Sequence, residues 1–153
     1  MIIYRLAIEA YKNDLTGTGS KLYGGRWNRP GFAAIYSAEH ISLAVLEILV
    51  NTDKNNIPPA YHLLKLHIPD DIAVKQIKLK SLKAKWYHDI EYAQFIGSSF
   101  LESGKEAVLK MPSAIVKEES NFLLNPNHPD FKKISIKEAT LFDLDIRLFK
   151  NHE

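Results

Sequence analysis

The chain contains no cysteine. That excludes a disulfide framework and any zinc site built on thiolates, and it fits a reducing compartment. A surplus of one charge is missing too. With 20 Lys and Arg against 18 Asp and Glu, the net charge is +2, too small by itself to argue for nucleic acid. No run approaches the roughly 20 apolar residues needed to span a bilayer. The opening Met1-Ile2-Ile3-Tyr4-Arg5 has no basic stretch followed by an apolar one, so no secretory signal is expected. Repeats and low-complexity segments are lacking as well. What is present is ordinary: 153 residues, 46% hydrophobic and 25% charged. That is enough chain for one domain, taken here as 1–153, with a full core. A cytoplasmic protein with no membrane partner is expected.

Glycine is also scarce, and its placement is informative. Five of the seven glycines fall between Gly17 and Gly31. Such density marks backbone that takes positive φ or comes close to something. Gly17-Thr18-Gly19 does not continue as a dinucleotide fingerprint, because the next glycine position holds Leu22 and no helix obviously follows. P-loop spacing is absent. The same loop holds Tyr23, Arg26 and Trp27. Arg26, after two glycines and before an aromatic, reads as a guanidinium on a shaped loop, suited to a phosphate or carboxylate. A lone Gly-Gly-Arg would read better as a surface turn.

The remainder reads as strands with two substantial helices. Ile2–Ile8, Phe32–Tyr36, Tyr61–Ile68, Ala73–Leu79, Ala107–Met111 and Phe142–Phe149 have strand patterns. In Tyr61–Ile68, Leu64, Leu66 and Ile68 share a face. Phe142, Leu144, Ile146 and Leu148 do the same in the last run. Lys54–Pro59 is a polar turn. Ser37 is the expected N-cap of a helix to about Val50, with Glu39 in its first turn. Its apolar positions Ile41, Ala44, Val45, Ile48 and Leu49, widened by Leu43, Leu46 and Val50, predict burial on most of its surface. The second helix, Asp89–Ser103, ends at Gly104. Gly97 at its centre predicts close packing against a neighbour. The fold class is α+β, with a split, mainly antiparallel sheet and few helices.

Glu47 is the misfit of the first helix. Its helical neighbours are Leu43, Ala44 and Val50. A carboxylate there must be paired, hydrogen-bonded or used. A rim position and a functional one both stay open at this level. Ser113 follows Pro112, and Asn121 and Asn125 flank a short apolar strand; turn chemistry accounts for these equally well. Lys75, Lys78, Lys80, Lys83 and Lys85 precede Trp86 and Tyr87. Basic residues beside aromatics can bind nucleic acid. A solvated strand and its exit loop explain them better, given the nearly balanced charge.

Four separated motifs carry a family resemblance: Gly24-Gly25-Arg26-Trp27-Asn28, Tyr36-Ser37 leading into Leu46-Glu47, Met111-Pro112-Ser113-Ala114, and Asn121 through Phe131. Together, and in this order, they resemble the RES-domain toxins, the toxin half of bacterial RES–Xre toxin–antitoxin pairs. The similarity covers nearly the whole chain. One departure is Asp145-Ile146-Arg147, where the family usually has a proline between the aspartate and the arginine. The resemblance implies an ADP-ribosyltransferase-like fold and an enzyme that consumes NAD+. Family members act as NAD+ glycohydrolases or phosphorylases, and some transfer ADP-ribose to a protein. It maps the essential Arg, Tyr and Glu onto Arg26, Tyr36 and Glu47, and the later Ser and Asn onto Ser113 and Asn121. Catalysis is thus expected from Arg26, Tyr36, Glu47 and Ser113. Substrate contacts are expected from Arg26, Trp27, Tyr36, Ser113 and Asn121.

The residue types suit that chemistry. Breaking the nicotinamide–ribose bond passes through an oxocarbenium-like centre. Arg26 would anchor the diphosphate, Tyr36 would give the ring a platform, and Glu47 would face the developing charge. Ser113 would hold Glu47 or the ribose, Asn121 would support the site from behind, and Arg26 or Ser113 would offset the desolvation of Glu47. No metal and no cofactor beyond NAD+ as substrate are expected, with inorganic phosphate as a co-substrate in the phosphorolytic case. The implied partner is an Xre-family antitoxin that blocks the NAD+ cleft and binds DNA, so that the toxin meets DNA only through it. A toxin homodimer within that complex is one arrangement. The competing readings are an ADP-ribosyltransferase with a protein acceptor, a nucleic-acid-binding toxin using Lys75–Lys85, and a non-catalytic interaction module.

Overall fold

A computed structural model describes residues 1–58 and 60–150. In chain order the elements are β1 (Ile2–Ile8), α1 (Thr18–Tyr23), β2 (Ile35–Ala38), α2 (Ile41–Asn51), β3 (Tyr61–His67), β4 (Val74–Gln76), α3 (Ile90–Ser103), β5 (Val108–Pro112), β6 (Ser120–Leu124) and β7 (Ser135–Phe142). The strands form one sheet in the order β4-β5-β6-β2-β1-β3-β7. Every neighbouring pair is antiparallel except β4 with β5. The expected α+β architecture with a mainly antiparallel sheet is present. The sheet is continuous rather than split; its narrowest pairing joins β1 to β2, through Tyr4 opposite Ala38 alone.

Strand alternation assigns two faces. On one face Ile3, Ile35, Leu64, Leu66, Val108, Phe122 and Leu124 make a continuous cluster, with Ile68, Ile72 and Ile134 added from loops. Leu64, Leu66 and Ile68 thus pack together as their spacing predicts. On the other face Leu109, Met111 and Leu123 meet Trp27, Trp86, Ala93 and Phe100. Beside them Leu6, Ala38, Leu43 and Leu63 form a separate cluster under α2. Both α2 and α3 therefore cover this second face, and a seam runs between their clusters.

The two helices fare differently against expectation. Asp89 caps α3 by accepting from Tyr92 N at 3.0 Å, and Gly104 ends it in the left-handed region. A Cβ on Gly97 would sit 1.7 Å from the Trp27 carbonyl oxygen, which is the close packing its position predicted. The start of α2 needs correction. Ser37 lies inside β2 and the N-cap is His40. Glu39 precedes the helix instead of joining its first turn. It takes Ser120 N on Oε2 at 3.0 Å and Lys110 Nζ on Oε1 at 3.2 Å, fastening the end of β2 to β5 and β6. Nor is α2 buried on most of its surface: Leu46 is 36% and Val50 62% exposed, with Leu43 and Ala44 turned inward.

Other boundaries move as well. The loop expected to lack a helix contains α1. The last predicted strand, Phe142–Phe149, is replaced by β7 ending at Phe142 and a 3-10 turn over Ile146–Phe149. Alternation of apolar residues without neighbouring strands to bond does not make a strand; Ser135–Phe142 has β3 beside it. The extended piece Ala73–Leu79 contracts to β4 followed by a 3-10 turn at Leu79–Ser81. Of the Lys54–Pro59 turn, Pro59 lies outside the described residues, as do residues 151–153 at the end of the assigned domain.

Candidate functional site

The glycine-rich loop is a fixed structure. Asn28 is fully buried and works as its pin. Its Nδ2 donates to the carbonyls of Ser20 and Phe32, each at 2.9 Å, and its Oδ1 accepts from the Tyr36 hydroxyl at 2.6 Å. The same hydroxyl accepts from Trp27 N at 3.0 Å. Tyr36 comes so close that a Cβ on Gly25 would lie 2.6 Å from its oxygen, and Gly24 has φ +71°. The pair of glycines before Arg26 thus meets both conditions that their density implied, positive φ and close approach. Trp27, 2% exposed, stacks at a tilt on Trp86 with ring centroids 5.4 Å apart. Its indole is in the core, so it holds the loop down and leaves only backbone for a ligand.

Arg26 is half-buried, and its Nη1 donates to the Tyr87 carbonyl at 3.0 Å. Among the described residues no carboxylate pairs with it. The guanidinium is oriented by a neutral carbonyl and not by a carboxylate, the condition an anion site would require. Gln94 Nε2 braces the loop through the Gly25 carbonyl at 2.9 Å.

Glu47 comes to the seam from α2. Its Oε1 accepts from Ser113 Oγ at 3.2 Å and from Asn121 Nδ2 at 2.5 Å. These partners stand 66 and 74 residues away in sequence. Asn121 therefore touches the carboxylate directly and does more than support it from behind. Ser113, fully buried, also accepts from the backbone N–H of Ile115 at 3.0 Å and of Val116 at 3.2 Å. Of the two groups expected near Glu47, Ser113 bonds it, joined by Asn121, while Arg26 points to Tyr87. Both bonds land on Oε1, which leaves Oε2 without a protein donor among the described residues.

Tyr36 links the two halves. Burial pushes its phenol well above the ordinary range; the hydrogen bonds from the Trp27 and Asn28 side and the Arg26 charge pull down, while the Glu47 charge pushes up. Its hydroxyl reaches the residues on either side of Arg26, and its strand β2 pairs with the β6 strand that carries Asn121. The geometry thus brings together Arg26, Tyr36, Glu47, Ser113 and Asn121. Sequence reading missed Asn28 as the pin of the loop, and Tyr87, whose carbonyl aims Arg26 from 61 residues away. Nothing local in the sequence marks that carbonyl. Asn125, the other flanking asparagine, stays structural: its Nδ2 donates to the Leu101 carbonyl at 3.1 Å.

The lysine-rich stretch is solvated. Lys75, Lys78, Lys80, Lys83 and Lys85 are all exposed, and Lys83 pairs with Asp89. No helix among the described residues is long and apolar enough to cross a membrane.

Comparison with known proteins bears on the family and the fold. Residues 2–145 match the RES domain family. A protein of Photorhabdus laumondii named Toxin Res is 38% identical over 154 aligned positions, covering 98% of each chain. One of Sphingobium sp. named Prs ADP-ribosylating toxin is 35% identical, covering 96% of each. In structure, a chain of the M. tuberculosis MbcT-MbcA toxin–antitoxin complex superposes with a TM-score of 0.76, covering 97% of this chain and 86% of that one. At 19% identity it speaks for the fold alone. With the motifs, the fold and a family match over nearly its whole length in agreement, the chain belongs to the RES domain family.

Proposed function

We propose that this protein is the toxin of a toxin–antitoxin pair and that it degrades NAD+ by breaking the nicotinamide–ribose bond. The observation that carries this reading is Glu47, fixed through Oε1 by Ser113 and Asn121 with Oε2 free, in a seam that also holds an unpaired Arg26 and Tyr36. In the reaction the bond from ribose C1′ to the nicotinamide nitrogen breaks, and its electrons leave with the ring, which becomes neutral. Positive charge gathers at C1′ and the ring oxygen. A carboxylate held in place beforehand stabilises that charge without reorganising. Water then adds to C1′ and loses a proton, giving ADP-ribose, or phosphate adds and gives ADP-ribose 1″-phosphate. Arg26 would hold the diphosphate, Tyr36 would lie against the leaving ring, and Ser113 would keep Glu47 in position. Nothing beyond NAD+ and the attacking group is needed, so no cofactor or metal enters the proposal.

The test is NAD+ consumption by the purified protein, with and without inorganic phosphate, beside Glu47→Ala and Arg26→Ala. Wild type should deplete NAD+, and each variant should lose at least about a hundredfold in rate, the scale of removing one electrostatic group from such a site. Phosphate dependence would select phosphorolysis. A folded, antitoxin-free wild type that leaves NAD+ intact would refute hydrolysis and phosphorolysis alike.

A second reading has its own support, the Sphingobium relative named an ADP-ribosylating toxin. In it the same site passes ADP-ribose to a protein side chain. Labelled NAD+ followed by mass spectrometry of protein separates the two. The proposed partner is an Xre-type antitoxin that closes the seam and carries the DNA contacts, and the proposed setting is the cytoplasm.

A further inference from the structure

A second cation beside Tyr87, Lys117, has no part in the reaction as proposed. Its ammonium lies 3.6 Å from the centroid of the Tyr87 ring. Tyr87 is the residue whose carbonyl aims Arg26. One residue therefore organises two cations, Arg26 through its backbone and Lys117 through its side chain. The Tyr87 ring itself is held edge-on against Trp86, with centroids 6.0 Å apart, and Trp86 packs on Trp27 of the glycine loop.

The route by which Lys117 arrives ties it to the site. It follows the turn from Ser113 to Val116, whose backbone N–H groups are gathered onto Ser113 Oγ. Ser113 Oγ also donates to Glu47. Ala114 packs against the Trp27–Trp86 cluster and Val116 against the α2 cluster, so the turn straddles the seam. Hydrogen bonds from Glu47 to Ser113 and from Val116 N to Ser113, the next backbone step to Lys117, and its contact with Tyr87 thus connect Glu47 to Arg26. Lys117 is half-buried, and among the described residues no carboxylate pairs with it. An aromatic face orients an ammonium while leaving its charge unneutralised, which a carboxylate would not do. A Lys placed this way acts as a point charge for phosphate, complementing the directed fork of an Arg.

We infer that Lys117 and Arg26, held on the ring and the carbonyl of Tyr87, form a two-point clamp for the diphosphate of a dinucleotide. The inference rests on the NAD+ reading, which it makes specific. Lys117 is a binding residue remote from the reacting bond, so its removal weakens ground state and transition state together.

Lys117→Gln should raise KM for NAD+ about tenfold with kcat within about twofold, and Lys117→Arg should restore most of the loss. Direct titration with ADP, at low salt, should show about a tenfold weaker Kd for Lys117→Gln, and titration with adenosine should show no difference. An unchanged Kd for ADP, or an equal loss for adenosine, would overturn the clamp. So would a fall in kcat at constant KM. The ADP titration needs no turnover. If wild type binds ADP through Lys117 yet consumes no NAD+, the proposed reaction fails and the clamp stands. If NAD+ is consumed and neither KM nor ADP affinity moves, the clamp fails and the reaction stands.

Discussion

At the residue scale the site depends on groups that do two jobs. The Tyr36 hydroxyl accepts from Trp27 N and donates to Asn28 Oδ1, so it locks the loop while the side chain packs against the Trp27–Trp86 cluster. Burial keeps the phenol protonated above its usual range. The sign follows directly. Above the unfolded value, about pH 10, the unfolded chain releases the Tyr36 proton while the folded chain retains it, so stability falls as pH rises. Tyr36→Phe should flatten that alkaline loss in urea titrations between about pH 9 and 11. It should also cost about 1–3 kcal/mol at neutral pH, because Asn28 Oδ1 and Trp27 N lose their partner in a buried place. A variant whose alkaline profile matches wild type would show that the phenol is not held this way. That Tyr36, Glu47 and Arg26 are candidate site residues was legible from their motifs. That Asn28, buried and bonded to Ser20, Phe32 and Tyr36, is what shapes the loop was not, since an Asn among glycines reads as a turn former.

At the element scale the loop and α3 form one unit. Gly97 lets the α3 backbone touch the Trp27 carbonyl, Gln94 reaches the Gly25 carbonyl, and Ser98 Oγ accepts from Arg29 N at 3.0 Å. Gly97→Ala should lower stability by about 1–3 kcal/mol, the usual cost of overpacking, despite the better helix propensity of alanine. The obstacle is backbone and cannot swing aside, so the loop must shift and carry Arg26 with it. NAD+ turnover per folded molecule should fall alongside the melting temperature. An alanine variant as stable and as active as wild type would break this link. The sequence signalled Gly97 as a packing position but left its partner unnamed, because local spacing holds no information about which surface arrives from 70 residues away. The misplaced start of α2 has the same origin. Ser37 is a good cap by its chemistry, yet pairing with Phe122 on β6 drew it into β2 and left His40 to begin the helix.

At the scale of the whole molecule the sheet separates one large core cluster from the candidate site. One face holds the largest cluster, shared by β1, β2, β3, β5 and β6 and so spanning the β1–β2 pairing. The other face carries the helices and the seam. Leu66, fully buried in that first cluster, is remote from Glu47 and Arg26. Leu66→Ala should therefore cost about 2–5 kcal/mol in urea unfolding while leaving kcat and KM of the folded enzyme unchanged. Altered KM at full folding would mean that the two faces are coupled through the sheet. The α+β class was readable from the strand and helix patterns. The order of the strands was not, because β2 pairs with β6 across more than 80 residues, which sets the strand of Tyr36 beside the strand of Asn121.

The chain by itself determined which side chains are available and how the local backbone is shaped. The glycines around Arg26, the cap and stop of α3, the alternation in β3 and the presence of a carboxylate at Glu47 are all properties of neighbouring residues. Only the tertiary structure decided what Glu47 is. On α2 alone it is a charge among aliphatic groups, with a rim and a functional role both open. Ser113 and Asn121, brought to it by β5, β6 and the turn between them, make it a fixed hydrogen-bond acceptor with one oxygen free. Periodicity reports burial along a single element, and hydrogen bonding across a seam depends on which elements meet there.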